Sequence, residues 1–117
     1  MATEGYFESW QVTAVDDWST SGALNKFVDH GGTFSAGMTM VAGVLKSRAK
    51  AGQLARVAVD GTVKVVTGVA VTTPGNPIVA TTSGFAAVGT STIPFLGRIV
   101  AASCPAASGD LITIVMV

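Results

Sequence analysis

Glycine interrupts most of this chain at short, regular intervals. From Met38 to Val117 the sequence consists of short runs of Val, Ala, Ile and Thr, and a glycine recurs every 5–12 residues. These glycines are Gly43, Gly52, Gly61, Gly68, Gly75, Gly84, Gly89, Gly97 and Gly109. Short strands with turn signals at that spacing are typical of β-sandwiches and small barrels. The pattern therefore predicts an all-β body.

Several interruptions carry the residues that specific turns require. Asp60-Gly61 lies between two apolar runs and predicts a tight hairpin, and Pro74-Gly75 predicts a type II turn. The candidate strands are Thr39–Leu45, Leu54–Val59, Val63–Val71 with a break near Gly68, Ile78–Thr82, Phe95–Ala102 and Leu111–Val117. The last strand is apolar on both faces, so we expect it to be paired within the sheet or covered by a partner.

The first 37 residues follow a different pattern. They contain both tryptophans, the only tyrosine and most of the acidic residues, and no β alternation persists for more than a few residues. Gly22–His30 fits either a short helix capped by Ser21 or an extended segment around Phe27 to Asp29. We therefore predict an extended, largely irregular N-terminal arm over residues 1–37 and a compact β domain over residues 38–117.

The aromatic residues of this arm allow two interpretations. They could fold back onto the body as core, or they could insert into pockets on a partner, as interface aromatics do. Long irregular N-terminal stretches are poorly ordered unless they are tied down, and large aromatics on such an arm favour docking. The predicted anchors are Tyr6, Phe7, Trp10 and Trp18.

A short basic stretch begins the body. In an extended conformation Lys46, Arg48 and Lys50 project from one face, about 13 Å end to end at roughly 3.3 Å per residue. Such a stripe could meet acidic groups on a partner. It could equally be a charged edge strand that discourages aggregation.

Charge is scarce and unevenly distributed. Only 12% of residues are charged, against about 25% in an average soluble domain, and a weakly charged surface suits a protein packed in an assembly. Residues 1–30 have a net charge of −4 and residues 31–117 a net charge of +4. Such asymmetry often marks an interaction segment. The basic residues are too few and scattered for a nucleic-acid interface.

Residues that could carry chemistry are almost absent. No nucleophile elbow, phosphate loop or nucleotide fingerprint occurs, and no glutamate follows Glu8. His30 is the only histidine and is poor material for a zinc site, while the single Cys104 is expected to be buried and inert. We expect no enzyme activity, no cofactor and no metal. No run of 18 apolar residues predicts a membrane span, and no signal segment opens the chain.

The segment from Asp29 to Val117 resembles the small capsid decoration (cement) proteins of tailed bacteriophages, and three stretches carry the resemblance. They are Thr33-Phe34-Ser35-Ala36-Gly37, the run from Ala51 to Gly61, and Gly97-Arg98-Ile99-Val100-Ala101-Ala102 with Ser108 to Ile114. The resemblance covers about three-quarters of the chain. These motifs are rich in Gly, Ala and Val and contain no invariant chemistry.

The resemblance implies a small β-sandwich or barrel-like (β-tulip-type) domain on the outer capsid surface of the virion. Such a protein is made in the host cytoplasm, binds the major capsid protein, forms trimers (a dimer is possible) and bridges neighbouring subunits. It implies no nucleic-acid or membrane partner. The alternative function is a glycan-binding, lectin-like head or adhesin module, in which an exposed tryptophan stacks on a sugar.

Overall fold

Short strands make up most of the structure, which is a computed structural model that describes residues 7–35, 41–89, 96–100 and 105–116. The strands are β1 (Phe7–Thr13), β2 (Phe27–Asp29), β3 (Val41–Leu45), β4 (Leu54–Val66), β5 (Pro77–Ala80), β6 (Ala86–Val88), β7 (Gly97–Ile99) and β8 (Leu111–Met116). Two short 3-10 turns, Ser21–Ala23 and Thr82–Gly84, are the only helical elements in these ranges. The prediction of an all-β fold is confirmed.

All eight strands belong to one sheet that curls into a nearly closed barrel. Its order is β2-β3-β4-β8-β7-β5-β6, with β1 paired to β4 outside this path. The two ends of the path meet through Ser35, whose N–H donates to the Phe27 carbonyl and whose carbonyl accepts from the N–H of Gly84. A parallel bridge between Thr67 and Ala86 adds a second link. None of the helices in the described ranges is long and apolar enough to cross a membrane.

The long strand β4 corrects the predicted hairpin at Asp60-Gly61. The chain does not reverse there, since β4 continues for 13 residues through both positions. Gly61 does adopt a positive φ of 96°, and the Asp60 carboxylate accepts its N–H at 2.8 Å. The pairing register with β1 shifts immediately before this pair, where Val59 is skipped between Ala58 and Asp60. The Asp-Gly pair thus lies next to a bulge at Val59 rather than in a turn, and the bulge divides β4 into two halves.

Those two halves have different neighbours. The first half pairs with β1 and β3, whereas the second half pairs with β8. Strand β8 also pairs with β7, so the expectation that the last strand is paired within the sheet is confirmed. The Pro74-Gly75 turn is also present, with a φ of 82° at Gly75 and a hydrogen bond from Asn76 N–H to the Thr73 carbonyl.

Two hydrophobic cores lie on opposite faces of β2, β3 and β4. Adjacent residues on each strand alternate between them: Phe27, Val44 and Ala58 belong to the first core, and Val28, Leu45 and Val57 to the second. The first core fills the barrel with Val63, Val65, Ile78, Ile112 and Ile114 among others. This strict alternation follows from the two-residue period of a strand.

The second core corrects the prediction of an irregular N-terminal arm for the described residues 7–35. Strand β1 pairs with β4 along its whole length. Val12, Ala14, Trp18 and Ala23 then lie over the outer face of β2–β4 and are buried there. Trp18 also exchanges backbone hydrogen bonds with Ala49, at 2.8 and 3.2 Å. These residues are tied down because the sheet would otherwise expose a second apolar face to water.

The ambiguous segment Gly22–His30 contains no α-helix. The 3-10 turn at Ser21–Ala23 is followed by the extended strand β2, so the extended alternative is correct. Between them Asn25 has a positive φ of 64°, a conformation that asparagine tolerates better than most residues. Its N–H donates to the Leu45 carbonyl at 2.9 Å, which locks this reversal onto β3.

Candidate partner-binding surface

The described carboxylates are engaged in local structure rather than gathered at one site. Asp29 accepts hydrogen bonds from the N–H and the hydroxyl of Thr33 at 3.0 and 2.8 Å, and Asp110 accepts from the N–H of Ala107. Asp16 accepts from the N–H of Phe34 at 3.1 Å, which fastens the segment after β1 to the segment after β2. These groups stabilise turns and loop contacts.

Within the described ranges, no three His, Cys, Asp or Glu residues lie close enough together to hold a metal ion. His30 is exposed at the turn after β2, while Cys104 lies outside the described residues. The part of the chain that can be described therefore offers surfaces and no convergent ionisable site. The absence of enzyme activity stays a prediction.

Asp17 is the one described acid with a resolved shift in pKa. Hydrogen bonds from the side chain and then the backbone of Ser19 lower the pKa of this carboxyl below its usual value. The backbone N–H of Ser19 lies 3.0 Å from the Asp17 carboxylate. The group is fully exposed, and its role is to shape the loop between β1 and Trp18.

The four predicted aromatic anchors differ in how far the structure buries or describes them. Trp18 has no exposed surface, so its assignment as a surface anchor is wrong, because it fills the second core. Trp10 is 60% exposed and is available to a partner. Tyr6 lies outside the described residues, and so does the side chain of Phe7, although the backbone of Phe7 begins β1.

Trp10 owes its exposure to its position in the sheet. It lies opposite Val57 of β4 and on the same face as Val12, which is almost completely buried. The second core covers Val12 and Val57 but leaves Trp10 uncovered at its border. A strand paired with β4 therefore presents a large aromatic side chain beside an apolar core, and this is a suitable geometry for binding.

The predicted basic stripe is only partly present. The Lys46 ammonium donates to the Asn25 side-chain oxygen at 2.8 Å and to the Lys64 carbonyl at 3.1 Å, so it is held by the protein itself. Arg48 and Lys50 are exposed on either side of the buried Ala49. The three charges therefore do not form one stripe that a partner could contact. The prediction of Lys46 as a binding residue is wrong, because its ammonium stabilises the fold.

Other exposed apolar side chains were not singled out by sequence reasoning as binding residues. Val15 and Leu54 are 62% and 60% exposed near the end of β1, and Leu111 and Val115 are each 44% exposed on β8. The alternation of β8 does separate Leu111 and Val115 from its buried residues. No sequence signal identified Leu54, because its exposure depends on where β4 starts and pairs with Thr13.

Comparison with known proteins gives a similarity in structure only. No family model and no curated protein matches the chain. A solved structure does match, that of the head fiber gp8.5 N base in bacteriophage phi29, with a TM-score of 0.66 and 18% identity. The match covers 96% of this chain and 95% of that one. The two proteins share a fold.

That match includes the N-terminal part of the chain. Because it spans 96% of the residues, it cannot be confined to the body that begins at residue 38. At 18% identity it establishes the fold and assigns no partner.

Proposed function

We propose that this chain is a structural protein of a tailed-phage virion that binds the outer surface of the head. The observation that carries the proposal is the near full-length match to a head fiber base. The resemblance of the body to capsid decoration proteins supports it independently. The charge-poor composition, at 12% charged residues, suits a protein that functions within an assembly.

More specifically, we propose that the chain acts as a cement protein of the capsid. The chain binds the major capsid protein and bridges neighbouring subunits, so that it stabilises the lattice it prefers by mass action. Many weakly bound copies on one shell gain from avidity. In this proposal the copies form trimers, no nucleic acid or membrane takes part, and no reaction is catalysed.

The binding residues of this proposal are those that the structure leaves available. Trp10 is the main anchor, since it is a large aromatic on a paired strand with 60% of its surface exposed. Arg48 and Lys50 are exposed and supply polar contacts at the border of the interface. Tyr6 and Phe7 remain predicted anchors whose side chains lie outside the described part of the chain.

The heat stability of phage heads tests the proposal. Heads lacking this protein are mixed with wild-type protein, with Trp10→Ala or with Leu54→Ala, and their melting is compared. Leu54 has the same exposed fraction as Trp10 and serves as the matched control. Binding at a free concentration 100 times the dissociation constant should stabilise each site by about 2.7 kcal/mol. Wild type and Leu54→Ala should raise the melting temperature, whereas Trp10→Ala should not.

Equal melting of heads with and without the wild-type protein would sink the cement function. Co-sedimentation of the protein with heads separates this outcome from a failure to bind. Binding without stabilisation would leave a head-surface protein that does not bridge subunits. No binding to any head preparation would remove the head-surface proposal as well.

A second candidate function is glycan binding by Trp10. It is favoured by the exposure of one tryptophan on a rigid sheet, the geometry that stacks on a sugar ring. The structure supplies an internal control, because Trp18 is fully buried and should not respond to a soluble sugar. Quenching by a sugar panel in wild type that disappears in Trp10→Phe would support glycan binding. No quenching by any sugar would reject it.

A further inference from the structure

The outer edge of β1, on the side away from β4, carries backbone groups that its own sheet does not use. In an antiparallel pair, successive residues direct their N–H and C=O groups alternately toward and away from the neighbouring strand. Just beyond β1, the N–H of Ala14 donates to the Gln53 carbonyl at 2.9 Å. Because the direction alternates, the backbone N–H and C=O groups of Trp10 point toward β4. Those of Ser9 and Gln11 point toward the outer edge.

Contacts on the other side of β4 give the same alternation. Gln11 lies opposite Arg56 in the register of β1 and β4. The carbonyl of Arg56 accepts from the N–H of Lys46 at 2.9 Å, on the β3 side of the strand, and its N–H donates to the hydroxyl of Ser47. Because Arg56 uses its backbone groups toward β3, Gln11 has no partner on β4.

This outer edge is open and unprotected in the described part of the chain. No described residue hydrogen-bonds to the backbone of Gln11 there. Natural edge strands are usually protected by charged side chains, especially lysine, by proline or by bulges. β1 contains no lysine or proline, and its one charged residue and its register shift lie at the Glu8 end, away from Gln11. The open stretch ends at Thr13, because the backbone of Gly32 lies so close that a Cβ on Gly32 would sit 2.3 Å from the Thr13 carbonyl oxygen.

We propose that β1 of a second copy of this chain pairs with this edge in antiparallel orientation. Ser9 lies opposite Gln11 of the second copy, and Trp10 lies opposite Trp10 of the second copy. This register uses only the outward groups and avoids the obstruction at Gly32. The two tryptophans occupy a non-hydrogen-bonded site, where opposite side chains are closest and aromatic pairs are favourable.

A second copy fits because the edge demands an alternating strand. The incoming strand needs an apolar side chain beside Trp10 and a polar one beside Gln11, and β1 itself has this pattern. A two-fold axis perpendicular to the sheet places equal faces on the same side, so the contact is self-complementary. Glu8, the one charged residue of β1, falls opposite Val12 rather than opposite its own copy.

The contact between the two strands is short. The open stretch from Phe7 to Val12 is about 20 Å long at roughly 3.4 Å per residue. A strand pair of this length buries much less than the roughly 1,600 Å² of a standard interface. The pairing is therefore weak and dependent on concentration, and it becomes persistent where many copies are crowded together. It does not depend on the proposed head-surface function and would be additional to any trimer contact.

Proline at position 11 tests the pairing in the purified protein. Gln11→Pro removes an N–H that points outward and that the chain's own sheet does not use, whereas Gln11→Ala keeps it. Sedimentation equilibrium over a concentration series should show reversible dimers for wild type and Gln11→Ala. Gln11→Pro should weaken the association at least tenfold. A wild type that is monomeric throughout, or equal association of all three proteins, would overturn the proposal.

Trp10 supplies a second variant and a spectroscopic readout if Gln11→Pro does not fold. Two facing tryptophans should give an exciton couplet in far-ultraviolet circular dichroism that grows with protein concentration. Trp10→Lys places two like charges opposite each other and should abolish both the couplet and the dimer. Protection of the Gln11 amide from hydrogen exchange should also rise with concentration. Protection that is full at every concentration would mean that the chain covers this edge itself, and would refute the proposal.

Discussion

Trp18 combines complete burial with an unsatisfied polar group. It has no exposed surface, its ring centroid lies 6.1 Å from that of Phe34, and its indole N–H has no hydrogen-bond partner among the residues that the structure describes. A buried unpaired donor costs about 1–3 kcal/mol, so the packing of the ring must outweigh that cost. The indole is therefore retained for its volume.

Substitution of Trp18 separates these two contributions. Trp18→Ala should lower the free energy of unfolding by about 3–5 kcal/mol, since it leaves a large cavity in the second core. Trp18→Phe should cost much less, because it keeps most of the ring packing and removes the unpaired donor. Urea denaturation measures both. Trp10→Ala is the control and should change stability by about 0.5 kcal/mol or less, as exposed sites do. A Trp18→Ala protein as stable as Trp10→Ala would contradict the second core.

Gly43 is required for close contact between β3 and β4. A Cβ built on Gly43 would lie 2.2 Å from the carbonyl oxygen of Ala58, a backbone atom that cannot rotate away. Gly43→Ala should therefore destabilise the protein by about 1–3 kcal/mol, the usual cost of overpacking. Gly22 has its nearest neighbour at 4.0 Å, so Gly22→Ala should be neutral or slightly stabilising. Thermal melting of the two variants checks the difference.

At the level of elements, a lysine joins the two ends of the barrel. The Lys26 ammonium lies 5.2 Å from the ring centroid of Phe34 and 4.6 Å from that of Phe85. Lys26 precedes β2 and Phe85 precedes β6, the strands at opposite ends of the sheet path. This interaction therefore reinforces the backbone hydrogen bonds through Ser35 that close the sheet.

Removing the charge of Lys26 should weaken this closure. Lys26→Met keeps the aliphatic stem and should reduce the free energy of unfolding by about 0.5–1 kcal/mol for each aromatic ring that the ammonium faces. A double-mutant cycle with Phe85→Leu isolates the interaction, and its coupling energy should be favourable. Additive effects of the two substitutions in chemical denaturation would show that the cation contributes nothing to closure.

Strand β4 shows what local sequence can and cannot predict. The regular spacing of glycines between short apolar runs correctly predicted strands around residues 41–45, 54–59, 77–80, 97–99 and 111–116. At Asp60-Gly61 it predicted the positive φ correctly, since Gly61 has φ 96°. It predicted a hairpin turn there, whereas the strand continues. A glycine with a positive φ can close a hairpin or lie within a continuous strand next to a bulge, as Gly61 does beside Val59. The choice depends on β1 and β8 pairing with the two halves of β4, which local sequence does not encode.

The candidate surface was predictable only in part for a related reason. The sequence analysis predicted Trp10 as an aromatic anchor on an irregular arm, and the structure exposes its side chain on strand β1. It could not distinguish Trp10 from Trp18, because burial of Trp18 requires a second apolar face on β2–β4. Val28, Leu45 and Val57 of that face alternate along their strands with residues of the first core. When a strand is apolar on both faces, its sequence does not show which face another segment covers.

For the whole molecule, the two cores predict that residues 38–117 do not form an independent domain. A chain starting at residue 38 lacks β1 and β2 together with Trp18, and it exposes Leu45 and Val57 of the second core. It also loses Phe27 from the barrel interior. We expect this fragment to show no cooperative thermal transition by circular dichroism, since neither core can be completed.

A shorter truncation is the matched control for that experiment. Removal of residues 1–6 keeps β1, β2 and all the described residues of both cores, and it should preserve a cooperative melt. If the fragment from residue 38 melted cooperatively at the temperature of the full chain, the N-terminal strands would be dispensable cover over a self-sufficient body. The boundary at residues 37 and 38 that the sequence predicts would then be correct. The complete burial of Trp18 and Phe27 leads us to expect the opposite, because their removal takes the largest side chains from both cores.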